Sequence, residues 1–324
     1  MGREEIIAHL GEDWPHLQEL IREALRSDIP LLQAVNNDII SNAGKMLRPM
    51  VGLLISRAIG KGRTSEDALS YAASAELLHN ATLLHDDVAD SSPTRRGKPT
   101  LCSLLGPSTA VLVGDFWLAR AMEINIGTKH NNSVVGVFSK AMTNLAEGEM
   151  LQLQDARSEG AIRDDYFKII YCKTASLFET VCLSTAIASD ATELEKESAG
   201  NYGRALGMAF QIKDDILDYT GDAGLGKPVG SDIREKKMTL PLICALEGSP
   251  REEEIRKMFF QVDSQPQFCG QIRKFVLESG GVQKAERILE EYVQKALDAL
   301  KTFEYSEDVA CLEGIARYNS IRRI

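Results

Sequence analysis

The chain has 324 residues, 44% of them apolar, which is enough for a large core, and a formal net charge of −10. That acidity excludes nucleic acid or an anionic membrane surface as the main partner, so any phosphate must be met by local basic clusters. Six cysteines without C-x-x-C spacing read as reduced core thiols, and no apolar run reaches membrane-spanning length, so a soluble cytoplasmic protein is expected.

In chain order, apolar periodicity predicts helices over residues 16–27, 31–41 and 46–59, then one long Ala- and Leu-rich helix over 64–90. Thr64, three residues before Asp67, reads as an acidic variant of the capping box for that helix. Further helices are predicted over 108–126, 133–155, 164–188, 193–219, 238–246, 282–302 and 306–318. Almost nothing alternates with period two, so the fold class is all-α. Gly, Pro, Ser and Asn clusters punctuate the helices, but none is long enough to be an interdomain linker, and residues 1–324 are expected to form a single domain.

Two helices close on the same acidic pattern: Asp86-Asp87-Val88-Ala89-Asp90 and Asp214-Asp215-Ile216-Leu217-Asp218, both D-D-x-x-D. Residues four apart share a helix face, so Asp86 stands with Asp90 and Asp214 with Asp218. An acidic run at a helix end is ordinarily a solvated surface. These carboxylates sit at helix C-termini, however, where the dipole disfavours negative charge unless a cation compensates. Hard oxygen donors with no accompanying cysteine suit Mg²⁺, which binds one or two carboxylates plus substrate phosphates.

Basic groups flank both motifs. Arg95, Arg96 and Lys98 follow the first, Lys227, Lys236 and Lys237 follow the second, and Lys45 and Arg48 stand upstream, spaced one helical turn apart. Each cluster alone fits a solvated face. Together, with metal ions, they supply cations for two diphosphates. His79, seven residues before Asp86, falls on nearly the same helix face.

With these residues in order, the chain resembles the trans-polyprenyl diphosphate synthases from about Lys45 onward. Further matches are Val113-Gly114-Asp115-Phe116, Gly148-Glu149-Met150-Leu151-Gln152, Lys173-Thr174 and Phe210-Gln211-Ile212-Lys213-Asp214-Asp215. The resemblance implies the isoprenoid synthase fold, a bundle of long, mostly antiparallel helices around a deep central cavity, usually paired as a homodimer. It implies Asp86 and Asp90 on two Mg²⁺ ions and Asp214 on a third, with Asp87 and Asp218 as further candidates. Arg95, Lys173, Lys227 and Lys237 would clamp the allylic diphosphate. Lys45, Arg48, His79 and Arg96 would hold isopentenyl diphosphate, and Thr174 and Gln211 would face the developing allylic cation. The chain departs from the family pattern where the usual glycine pair and second basic residue are Ala43-Gly44 and Met46, and where a glycine before Lys237 is Lys236.

The implied reaction is Mg²⁺-dependent condensation of isopentenyl diphosphate with an allylic diphosphate, repeated to a long all-trans product, with peripheral membrane contact for product release. In short-chain relatives a bulky aromatic commonly closes the cavity near the positions of Ala81 and Thr82, which lie about 6 to 7.5 Å below the metal layer. Phe138, about 16 Å down the next motif-bearing helix from Glu149, is the candidate floor. The alternatives are a short-chain farnesyl or geranylgeranyl synthase, a class I terpene cyclase or a non-catalytic subunit. A cyclase ordinarily carries an Asn/Asp, Ser/Thr, Glu second motif and lacks the second diphosphate site, and a non-catalytic subunit would be free to lose the acids kept here.

Overall fold

The computed structural model describes residues 2–42, 44–95, 97–156, 163–221 and 230–322. The helices in chain order are α1 (Arg3–Leu10), α2 (Asp13–Ala24), α3 (Pro30–Ser41), α4 (Leu47–Ile59), α5 (Glu66–Ala89), α6 (Leu101–Leu105), α7 (Pro107–Ile126) and α8 (Asn131–Asp155). Then come α9 (Arg163–Ile170), a π turn (Tyr171–Ala175), α10 (Ser176–Ala188), α11 (Glu193–Thr220), α12 (Ser231–Arg234), α13 (Leu240–Leu246), α14 (Glu252–Phe260), α15 (Phe268–Glu278), α16 (Gly281–Leu300) and α17 (Glu307–Ile321). The all-α expectation holds. Between α5 and α6 lies a two-residue antiparallel ladder, β1 (Thr94–Arg95) and β2 (Lys98–Pro99), that is too short to leave a period in the sequence.

The described residues group into two compact units. One takes the chain through Ala141 with Leu177–Gly203 and Ala299–Ile315, and α5 is its central helix. Ala68, Leu69, Tyr71, Ala72, Ala75 and Leu78 are all buried, covering α5 on every side, because it packs against α2, α4 and α7 together. Its alanines let these neighbours approach. Two buried polar pairs cross between helices of this unit: Ser74 Oγ donates to Ala121 O at 2.9 Å, and Trp117 Nε1 to Asn36 Oδ1 at 2.8 Å. Arg57 ties α4 to Asp13 (3.0 Å) and to Asp308 on α17 (2.8 Å).

The capping-box expectation for α5 is corrected. The helix starts at Glu66 behind Ser65, with no side-chain cap. Thr64 is drawn away to donate to Asp13, and Asp67 accepts from the His130 backbone N–H (3.3 Å) and lies 3.0 Å from its ring. Long-range partners outbid the local motif.

The other unit takes Met142–Ser176, Arg204–Asp298 and residues from Ala316 onward. Its α16 reads directly from sequence, with Val282, Ala285, Leu289, Val293 and Ala296 buried at three- and four-residue spacing. Short α13 is buried along its whole length, and Lys284 on α16 donates to Cys244 O at 2.8 Å. At the end of α11, Arg273 donates to the Tyr219 carbonyl at 2.8 Å, satisfying one of the last-turn acceptors. Helices α8 and α11 each run unbroken from the first unit's residues into the second's. All six cysteines are free, four of them buried.

Candidate active site

In the first unit, Asp86 lies in the last turn of α5 and Asp90 caps it, with the Asp90 N–H donating to Asp86 O at 2.8 Å. That turn carries no basic residue, so the C-terminal dipole and the acids are uncompensated within the helix. Asp87 points the other way. It is 7% exposed and accepts from Arg95 Nε at 2.8 Å, so the hairpin arginine is moored to the helix end. Asp86 is half-buried and Asp90 exposed, which leaves this pair as the outward donors. Arg96 lies outside the described residues.

The motif Val113-Gly114-Asp115-Phe116 packs beside this turn. A Cβ on Gly114 would collide with the His85 ring, whose Nε2 lies 3.3 Å from Asp115 Oδ1. His85 immediately precedes Asp86, so α7 braces the residue next to the first carboxylate.

Lys45 is exposed and precedes α4, so the spacing of one helical turn expected between it and Arg48 is not set by a helix. The cause is Met46, which adopts the left-handed conformation (φ 51°) and starts the helix one residue later. Arg48 is half-buried with its guanidinium 4.5 Å from the centre of the Phe178 ring. His79 is half-buried on α5, where its carbonyl accepts from Thr82 Oγ1 at 2.8 Å. Ala81 and Phe138 are fully buried, and the Phe138 ring centre lies 6.4 Å from that of Tyr71.

In the second unit the middle carboxylate is again turned inward, but the last one is held too, which leaves only the first facing outward. Asp218 accepts from Ser231 Oγ (2.6 Å) and from the backbone N–H groups of Ser231 and Asp232 (3.1 Å each), holding the start of α12. Asp215 is buried, accepting from Tyr166 OH at 2.6 Å and Gln211 Nε2 at 2.9 Å. Burial pushes its carboxyl up to about 7, with the Asp214 and Asp218 charges adding to the effect, and burial likewise raises Asp232 well above the usual carboxylate range. Asp214 is the outward member, 40% exposed, and accepts from Arg322 at 2.6 Å. Lys227 lies outside the described residues.

Lys173 and Thr174 fall in the π turn, which a helical period does not signal. Gly148 on α8 makes room for it: a Cβ there would lie 2.7 Å from Cys172 Cβ and 2.9 Å from Lys173 Cγ. Lys173 pairs with Glu149 and donates to Gln152 Oε1 at 3.1 Å, which accounts for the motif Gly148-Glu149-Met150-Leu151-Gln152. Thr174 Oγ1 donates to Gln211 Oε1 at 2.8 Å, so Tyr166, Asp215, Gln211 and Thr174 form one hydrogen-bonded chain. Lys237 pairs with Glu235 at 2.7 Å. Lys236 has φ 54°, the conformation a glycine would take freely, and pairs with Asp263.

The donor chemistry fits a hard divalent cation. Among the described residues no three or more His, Cys, Asp or Glu side chains converge into a closed cage. Outward carboxylates in ones and twos suit a metal whose remaining positions are filled by water and phosphate oxygens. Sequence reading missed Tyr166 and Arg322, which reach Asp215 and Asp214 across 49 and 108 residues, and Asp232, whose backbone N–H meets Asp218 across 14 residues and a loop.

Residues 29–274 match the model of the family described as polyprenyl synthetase. The chain is 35% identical to the octaprenyl diphosphate synthase of Escherichia coli K12, covering 98% of both chains. It is 36% identical to the geranyl-diphosphate-specific all-trans-nonaprenyl-diphosphate synthase of Rhodobacter capsulatus, over 97% of this chain and 96% of that one. The polyprenyl synthase of Caulobacter crescentus CB15, crystallised with calcium and isoprenyl diphosphate, superposes with a TM-score of 0.91 at 32% identity, covering 100% of this chain and 98% of the other. With its aspartate motifs at the ends of α5 and α11 and this likeness along its whole length, the chain belongs to the polyprenyl synthetase family and is a prenyltransferase.

Proposed function

We propose that this prenyltransferase condenses isopentenyl diphosphate with an allylic diphosphate primer, repeatedly, and releases a long all-trans polyprenyl diphosphate. Ala81 carries the argument for length by its place on α5: one turn and a little more below Asp86, it has only a methyl group where an aromatic ring would block a growing tail. Octaprenyl and nonaprenyl synthases among the full-length relatives support the same reading. Phe138, buried against Tyr71, serves as the floor.

Asp86, Asp90 and Asp214 would hold Mg²⁺, with Asp87 and Asp218 supporting the motifs from behind; the ion would supply positive charge for the diphosphate that leaves when the allylic C–O bond breaks. Arg95, Lys173, Lys227 and Lys237 grip the leaving diphosphate. The acidic partners of Arg95, Lys173 and Lys237 hold these cations in place before substrate arrives. Thr174 and Gln211, oriented through Asp215, direct their oxygen dipoles at the allylic cation. Lys45, Arg48, His79 and Arg96 hold isopentenyl diphosphate, whose alkene pair forms the new C–C bond; a proton then leaves to the departing diphosphate.

One catalytic domain working as a homodimer in the cytoplasm fits this chemistry. The exposed apolar side chains Leu104, Leu105 and Leu112 on α6 and α7 support pairing. Among the described residues no helix is long and apolar enough to cross a membrane. Incubation of the purified chain with Mg²⁺, labelled isopentenyl diphosphate and farnesyl or geranylgeranyl diphosphate, followed by sizing of the products, tests the reading. Products well beyond geranylgeranyl are expected; products that stop at geranylgeranyl would refute the long chain.

A further inference from the structure

Asp214 has a resident partner. Arg322, just past the end of α17, is 6% exposed, and its Nη2 donates both to Asp214 Oδ1 at 2.6 Å and to the Phe210 carbonyl at 2.9 Å. Nε donates to Asn319 Oδ1 at 2.9 Å, and the guanidinium lies 4.3 Å from the centre of the Phe210 ring. Such a desolvated guanidinium needs its anion: a buried charge whose partner is taken away is strongly destabilised where it stands. Asp214 is also the outward carboxylate of the second aspartate motif. A divalent cation held by the Asp214 carboxylate would put two cations, three positive charges in all, on one carboxylate in a partly desolvated place.

We propose that Arg322 is the resident counter-ion of Asp214, and that a divalent metal binding at the second motif displaces it and loosens the end of α17. The inference rests on the reading of Asp214 as a metal ligand. It gives the metal-free enzyme a neutralised second motif and ties metal arrival there to release of residues 317–322. The Arg322 backbone N–H donates to Tyr318 O at 2.9 Å, so this last turn supplies amides that report its opening. The release is local, because the rest of α17 is anchored elsewhere, Asp308 being held by Arg57.

Two measurements test the proposal. In an Asp86→Ala, Asp90→Ala background, which leaves the second motif as the metal site, Mn²⁺ binding in the presence of inorganic pyrophosphate is followed by electron paramagnetic resonance. Arg322→Ala is expected to tighten Mn²⁺ about tenfold, the equivalent of one charge-assisted hydrogen bond lost as a competitor. Arg322→Lys, which keeps the charge, is expected to stay near its parent, and Asp214→Asn to abolish the binding. Unchanged or weaker Mn²⁺ binding in Arg322→Ala overturns the proposal alone. Absence of any Mn²⁺ binding that depends on Asp214 overturns both the proposal and the metal reading of the second motif. In the unsubstituted chain, hydrogen exchange of the 317–322 amides is expected to accelerate when Mn²⁺ and pyrophosphate are added together; equal or slower exchange contradicts displacement.

Discussion

Gly148→Ala tests whether the π turn is a catalytic element or a packing irregularity. The new methyl would stand 2.7 Å from Cys172 Cβ, 2.9 Å from Lys173 Cγ and 3.3 Å from the Lys173 backbone nitrogen. Carbon atoms in good contact sit about 3.5 to 4.0 Å apart, so α8 and the π turn must separate by about 1 Å. Two of the three obstructing atoms are a Cβ and a backbone nitrogen, which rotamer changes cannot move away. The shift carries Lys173 and Thr174 with it, and a misplacement of about 1 Å at positioned groups lowers turnover by about a hundredfold. Stability should move much less: overpacking costs about 1 to 3 kcal/mol, and replacing glycine by alanine within a helix returns about 1 kcal/mol. Isopentenyl incorporation under saturating substrates, read beside a thermal melt, separates the two effects. A variant that turns over within about threefold of the parent would show instead that the clash is absorbed away from the chemistry and that the π turn is a packing irregularity.

Ala81→Phe should shorten the products sharply while leaving the first condensations intact, and Phe138→Ala should lengthen them; an unchanged distribution from an active Ala81→Phe enzyme rules out this cavity direction. Replacing Lys45 or Arg48 by alanine should chiefly raise KM for isopentenyl diphosphate, whereas replacing Lys173 or Lys237 should chiefly affect the allylic substrate. Equal effects of all four on both substrates would show the two-site assignment to be wrong. Lys236→Gly should raise stability by about 1 kcal/mol, since a left-handed non-glycine residue costs about 1 to 2 kcal/mol and the ion pair with solvent-facing Asp263 contributes less. A lower melting temperature would mean that this pair outweighs the backbone term.

How far these features can be read from sequence depends on whether their cause is local. The buried face of α16 repeats every three or four residues, and the two aspartate motifs announce themselves by spacing, so both were legible. The division of labour within each motif was not. Asp87 is taken by an arginine eight residues on, and Asp218 by a helix start thirteen residues on, through loops whose geometry no period encodes. Thr64 and Asp67 carry a valid local capping signal that Asp13 and His130 override from more than fifty residues away. Helices α14 and α15 went unread because their apolar residues, Ile255, Met258 and Phe259, then Ile272, Phe275 and Val276, are few and bracketed by charge or glycine. The left-handed Met46 and Lys236 stand where the family uses other residues, and only the backbone shows what those departures mean.

In the proposed function Asp86 and Asp90 serve metal-bound diphosphate rather than the fold. Asp86→Ala and Asp90→Ala, assayed for Mg²⁺-dependent isopentenyl incorporation alongside their melting temperatures, test it most directly. Each substitution is expected to lower turnover by about three orders of magnitude, about 4 kcal/mol of barrier, with the melting temperature held or raised because a carboxylate has been removed from a helix C-terminus. Near-normal turnover of either variant at low Mg²⁺ would contradict it.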